Sequence, residues 1–181
     1  MKMLKKLLAV VLTGAMALTL LTACGSNAVN DKNIADALND IVKSSVAAGL
    51  TKDYTFKPRT DEQAMAKAIA ALSEAEWNTK GDGDNKFSGP VMKILGLNEG
   101  VANEESRFVW YGAVFADEIG TAGQAYNVMN NILSKNAVNA DKLEGEPEDI
   151  RYIGTALGTM TYHGGKPTTV RIIVVTAPVK K

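Results

Sequence analysis

The chain reads as an α+β protein, a three-layer α-β-α sandwich around a mainly antiparallel sheet of three or slightly more strands. Three observations predict this. The stretch 149–176 holds two long β-rich runs, 152–162 and 168–176, on either side of His163-Gly164-Gly165-Lys166, whose glycines tolerate the positive φ of a tight hairpin turn. In the second run Val170 is followed by Ile172, Ile173, Val174 and Val175, so both faces of that strand are apolar, as in a sheet covered on both sides. Upstream, three segments repeat apolar residues at helical spacing, and these helices must supply the covers.

Taken from the amino end, Lys2, Lys5 and Lys6 form a basic start, 7–21 is an apolar run, and Leu21-Thr22-Ala23-Cys24 follows. This is a secretory signal, shorter than the roughly 20 residues of a spanning helix. Leu-Thr-Ala-Cys here resembles the bacterial lipobox. That resemblance implies cleavage before Cys24, lipid on its sulfur, and a place on the extracytoplasmic face of the cell membrane. The expected division is a signal peptide over 1–23, a lipidated tether over 24–32 and one domain over 33–178.

Ile34, Leu38, Ile41, Val42 and Val46 predict a helix over 31–48, stopped by Gly49. Residues 50–59, with Pro58, read as a short extended connection. Thr60-Asp61-Glu62-Gln63 reads as a capping box opening a second, alanine-rich helix with Met65, Ala68, Ile69 and Leu72 on its apolar face. Residues 78–89 are a polar, glycine-rich loop, and Gly89-Pro90 starts a short helix closed by Gly96. The run 107–115 (RFVWYGAVF) is the third strand. Thr121-Ala122-Gly123-Gln124 repeats the capping-box pattern before a helix carrying Ala125, Val128, Met129, Ile132 and Leu133. A loop over 136–148 leads into the hairpin.

At 181 residues, with 46% hydrophobic and 22% charged content, one domain with its own core is expected. Cys24 is the sole cysteine, so once lipidated it leaves no thiol for a disulfide, a metal or a nucleophile. Removing 1–23 takes away three lysines and no acid, leaving 17 basic against 20 acidic residues and a net charge of about −3. Nothing resembles a basic stripe, so nucleic acid is not expected as a partner.

The order of elements and several phrases resemble the CAP or SCP-like family, the sperm-coating and pathogenesis-related group. These are ALNDIVKSSVAAGL with YTFKPRTDEQAMAKAIAAL, then TAGQAYNVMNNIL, then IRYIGTALGTMTYHGGKPTTVRIIVV, covering about residues 34–176. The resemblance implies an α-β-α sandwich and, as partners, small apolar ligands or surface proteins. It also implies a cleft with two histidines and two acids for a divalent metal. Here neither histidine can be placed: Asn78-Thr79 and Ser134-Lys135-Asn136 stand at those positions, and Gly123 or Gln124 stands where the first glutamate falls. No metal or other cofactor is therefore expected.

The residues expected around a cleft are Glu118, Gln124, Trp110 and His163, with no catalytic residue assigned. His163, the only histidine, lies in the hairpin turn, where a solvated residue is the plainer reading because a general base needs a positioned partner. Asp82-Gly83-Asp84-Asn85 begins like a calcium loop, but Lys86 and Phe87 break the spacing. Glu104-Glu105 and Asp117-Glu118 flank the aromatic strand; they read as solvated ends or, alternatively, as a carboxylate pair for acid-base chemistry. Phe108, Trp110, Tyr111 and Phe115 read mainly as core, with one of the two strand faces open to an apolar pocket. The expected function is a non-catalytic, lipid-tethered binding module. The alternatives are a cell-envelope hydrolase using a carboxylate pair and a purely structural envelope protein.

Overall fold

The computed structural model describes residues 31–78, 89–97, 107–116, 119–133, 145–162 and 164–180. Cys24, Glu118 and His163, the 82–85 motif and the acids Glu104, Glu105 and Asp117 lie outside them, as do the predicted signal and most of the tether. The described residues form α1 (Asp31–Ala47), β1 (Thr55–Pro58), α2 (Thr60–Ala70), α3 (Glu74–Trp77), α4 (Gly89–Ile94), β2 (Arg107–Phe115), α5 (Thr121–Leu133), β3 (Ile150–Tyr162) and β4 (Lys166–Pro178). No helix among them is long and apolar enough to cross a membrane.

The hairpin forms as its residues require. β3 and β4 pair antiparallel from Tyr152↔Thr176 to Tyr162↔Lys166, and Gly164 and Gly165 turn the chain at φ 84° and 77°. β2 pairs antiparallel with β4 on its other side, with Trp110 opposite Val175. The sheet order is β1-β3-β4-β2.

β1 corrects the expected sheet. Residues 55–58 are a fourth strand, not a connection, and they run parallel to β3 with Phe56 beside Arg151, so the sheet is mixed rather than mainly antiparallel. Such a short edge strand is held by more than its ladder. Asn39 of α1 turns its amide to Phe56: its Nδ2 donates to the Phe56 carbonyl at 3.0 Å and its Oδ1 accepts the Phe56 N–H at 2.6 Å.

β4 is buried from Val170 through Ala177, and the two parities of its residues enter separate apolar clusters. Ile173, Val175 and Ala177 pack with α1, α5, Phe108 and Trp110. Val170, Ile172 and Val174 pack with Ala66 and Ile69 of α2, Trp77 of α3, and α4. Because successive strand side chains point to opposite faces, the clusters lie on the two sides of the sheet.

Both predicted capping boxes are overturned. Thr60 lies inside α2, whose N-cap is Arg59, extended at φ −142° and making no side-chain cap. Gln63 instead donates through Nε2 to Asp31 Oδ2 at 2.9 Å. At α5, Gln124 donates to the Ile119 carbonyl at 3.0 Å. The capping box that does form went unpredicted: Ser73 and Glu76 close the start of α3, with the Ser73 N–H on the Glu76 carboxylate at 2.9 Å.

On the α2 side, Glu62 is a fully buried carboxylate. Arg59 donates to it from Nε at 2.6 Å and from Nη2, and the Thr176 hydroxyl donates to Oε1 at 2.6 Å. Burial pushes the Glu62 carboxyl up, but these donors and a backbone N–H outweigh it, so its pKa lies below the ordinary value.

Candidate functional site

Of the four residues expected around a cleft, Trp110 and Gln124 are described, and both are 1% exposed. Trp110 is packed in the α1–α5 cluster, and its Nε1 has no hydrogen-bond acceptor among the described residues. Gln124 belongs to a polar chain that joins four elements. Its Oε1 accepts from Arg171 Nε at 2.8 Å, Arg171 Nη1 donates to the Thr155 hydroxyl at 3.1 Å, and that hydroxyl donates to Asp31 Oδ1 at 2.6 Å. Asp31 also takes the Thr155 N–H at 3.0 Å, from the first turn of α1, where a carboxylate suits the helix dipole. Arg171 is nearly enclosed, and burial lowers its pKa while the Asp31 charge offsets part of that.

Gln124 is thus a structural ligand of a buried arginine. Gln124→Ala is expected to leave Arg171 Nε without an acceptor and to cost about 2 kcal/mol, read as a lower denaturation midpoint at unchanged slope. An unchanged midpoint would mean that Arg171 does not depend on this amide.

The concave site lies on the α1–α5 side of the sheet, near the end where β3 begins. It is a pocket of 220 Å³. Its buried floor is Phe56 of β1, Phe108 of β2 and Val175 of β4, and its partly exposed rim is Thr51, Tyr54, Ile132, Pro147 and Arg151. Local sequence explains the lining. In β3, Ile153 faces the α1–α5 cluster, and a period of two places Arg151 on the same face. The parallel register then sets Arg151 beside Phe56.

Among the described residues Arg151 is the only charged one in this lining. Its guanidinium carbon lies 5.0 Å from the Tyr54 ring centre and 4.9 Å from that of Phe108. Tyr54 is held edge-on to Phe56 at 5.6 Å and donates its hydroxyl to Met129 Sδ at 3.4 Å. Burial raises the Tyr54 pKa, against the Arg151 charge, and burial lowers that of Arg151 against Tyr54 and Asp149. The Arg151 Nε is closed off and has no acceptor among the described residues. Sequence reading missed this residue. The available signal was an arginine at an inward-facing position of a strand, two residues before Ile153.

The pocket can hold an apolar body and present one cation to it. Among the described residues no group of three or more His, Cys, Asp or Glu side chains could hold a metal ion. Comparison of the chain with protein-family models, with curated proteins and with solved structures returns no match.

Proposed function

We propose that this chain is a non-catalytic binding module, tethered by lipid on Cys24 to the extracytoplasmic face of a bacterial membrane, and that it takes a small, largely apolar ligand in the Tyr54–Phe108–Arg151 pocket. The observation that carries the reading is the pocket: 220 Å³, floored by Phe56, Phe108 and Val175, and opening among partly exposed side chains. A dry 150 Å³ cavity is enough to hold a benzene-sized molecule, so this one accepts a ligand somewhat larger. The address rests on Lys2, Lys5 and Lys6, the apolar run and Leu21-Thr22-Ala23-Cys24. Two apolar clusters on opposite sides of one sheet support a three-layer α-β-α arrangement of CAP-like kind, with its histidine site absent from the sequence.

Thermal unfolding against a panel of small apolar compounds tests the binding role. A compound at about 100 times its Kd stabilises the folded state by about 2.7 kcal/mol, which for a domain of this size raises Tm by about 5–10 °C. At least one compound is expected to do so. If none does, the pocket is not a binding site for such compounds. The tether is tested separately by fractionation: the native chain is expected with membranes, and Cys24→Ala is expected to leave them.

A further inference from the structure

Arg151 carries the choice of ligand further. A guanidinium does not relieve its burial by giving up its proton, because it stays charged at any ordinary pH. It must find an acceptor or bear the cost of lost hydration. Within the described residues it has none. The acid nearest in sequence, Asp149, is bonded to Lys180 Nζ at 2.7 Å, and Glu146 is paired with Lys52. The Tyr54 and Phe108 rings offset the charge, but a cation over a ring face consumes no hydrogen-bond donor. The rest of the described lining is Thr51, an isoleucine, a proline, a valine and Phe56, which supply no anion.

A ligand in the pocket can supply an acceptor to the terminal nitrogens of this partly exposed guanidinium. A planar carboxylate matches the guanidinium fork and brings a single negative charge against a single positive one. A phosphate monoester would bring a second negative charge against the single cation of the described lining. Resting on the binding role stated above, we propose that the pocket binds an amphipathic monocarboxylate of about ten to twelve non-hydrogen atoms in all, with the carboxylate on Arg151 and the apolar body against Phe56, Phe108 and Val175.

The experiment compares acids with their neutral amides, using the full chain in neutral phosphatidylcholine nanodiscs, with empty nanodiscs as the blank for partition. Calorimetric titration with octanoate and 4-phenylbutyrate, and with octanamide and 4-phenylbutyramide, needs no variant. The acids are expected to bind at least about tenfold tighter than the amides, and the Arg151 Nε–H resonance is expected to move on adding acid but not amide. In Arg151→Met, whose unbranched side chain keeps the packing between the rings, acid and amide are expected to bind alike. Amides binding as tightly as acids in the native chain, or a ratio that survives in Arg151→Met, would overturn the carboxylate assignment and leave the binding role standing. No binding by any of the four would remove both.

Discussion

Gly154→Ala is expected to prevent α2 from seating on the sheet and to cost more than about 3 kcal/mol. Gly154 lies on the α2 face of β3, and its backbone touches the backbone of the helix's first turn. A Cβ there would come within 2.5 Å of Gln63 Cα, and closer still to Gln63 N and the Glu62 carbonyl carbon. None of these atoms can rotate away. Relief requires moving the whole helix, and with it Ala66 and Ile69 from the core on that side. With a urea slope of about 1–3 kcal/mol per molar, the midpoint should fall by more than about 1 M, or the variant should not accumulate folded. Gly158→Ala is the control on the same strand, since its Cβ would meet nothing nearer than Ile172 Cγ1 at 3.5 Å. That variant should stay within about 0.5 kcal/mol of the native chain. Equal behaviour of the two would refute the close approach.

Glu62→Ala is the second large effect, at about 3 kcal/mol. Arg59 is 37% exposed and keeps Tyr152, with its guanidinium carbon 4.0 Å from that ring's centre, so losing its partner strands it only in part. The Thr176 hydroxyl is enclosed, and its acceptor disappears with the side chain. The same carboxylate shapes the acid limb of stability. Its folded pKa lies below the ordinary 4.5, so its contribution is complete above that value and is lost as pH falls through the folded pKa. Denaturation between pH 6 and pH 3 should show the native chain losing more stability than Glu62→Gln across the interval below about 4.5. Parallel losses in the two proteins would assign the acid sensitivity to other carboxylates.

Long periodic stretches were legible before any coordinates. The 107–115 run is β2 residue for residue, and the hairpin and the α1 and α5 stripes form as their patterns require. What escaped was decided by partners far away in sequence. Four residues ending in Pro58 carry too little pattern to announce a strand, and β1 exists because β3 and Asn39 meet it. Thr60–Gln63 and Thr121–Gln124 have the spacing of helix starts, but Asp31, Arg171 and the Ile119 carbonyl compete for the glutamines and win. The pocket joins residues from 51 to 175, and no local motif unites them. The hints were one face of the aromatic strand, which supplies Phe108, and Arg151, through the parity of its strand.

The bond pair from Asn39 has a consequence for how the protein behaves when crowded. Thr55 and Arg59 donate inward, to the carbonyls of Asp149 and Ile153. Alternation therefore turns the N–H of Phe56 and the position of Pro58 toward the outside. The first is occupied by a carboxamide, and the second has no hydrogen to give. An incoming segment of another copy finds no main-chain donor along this border, so growth of a continuous intermolecular sheet through it is blocked by one asparagine and one proline.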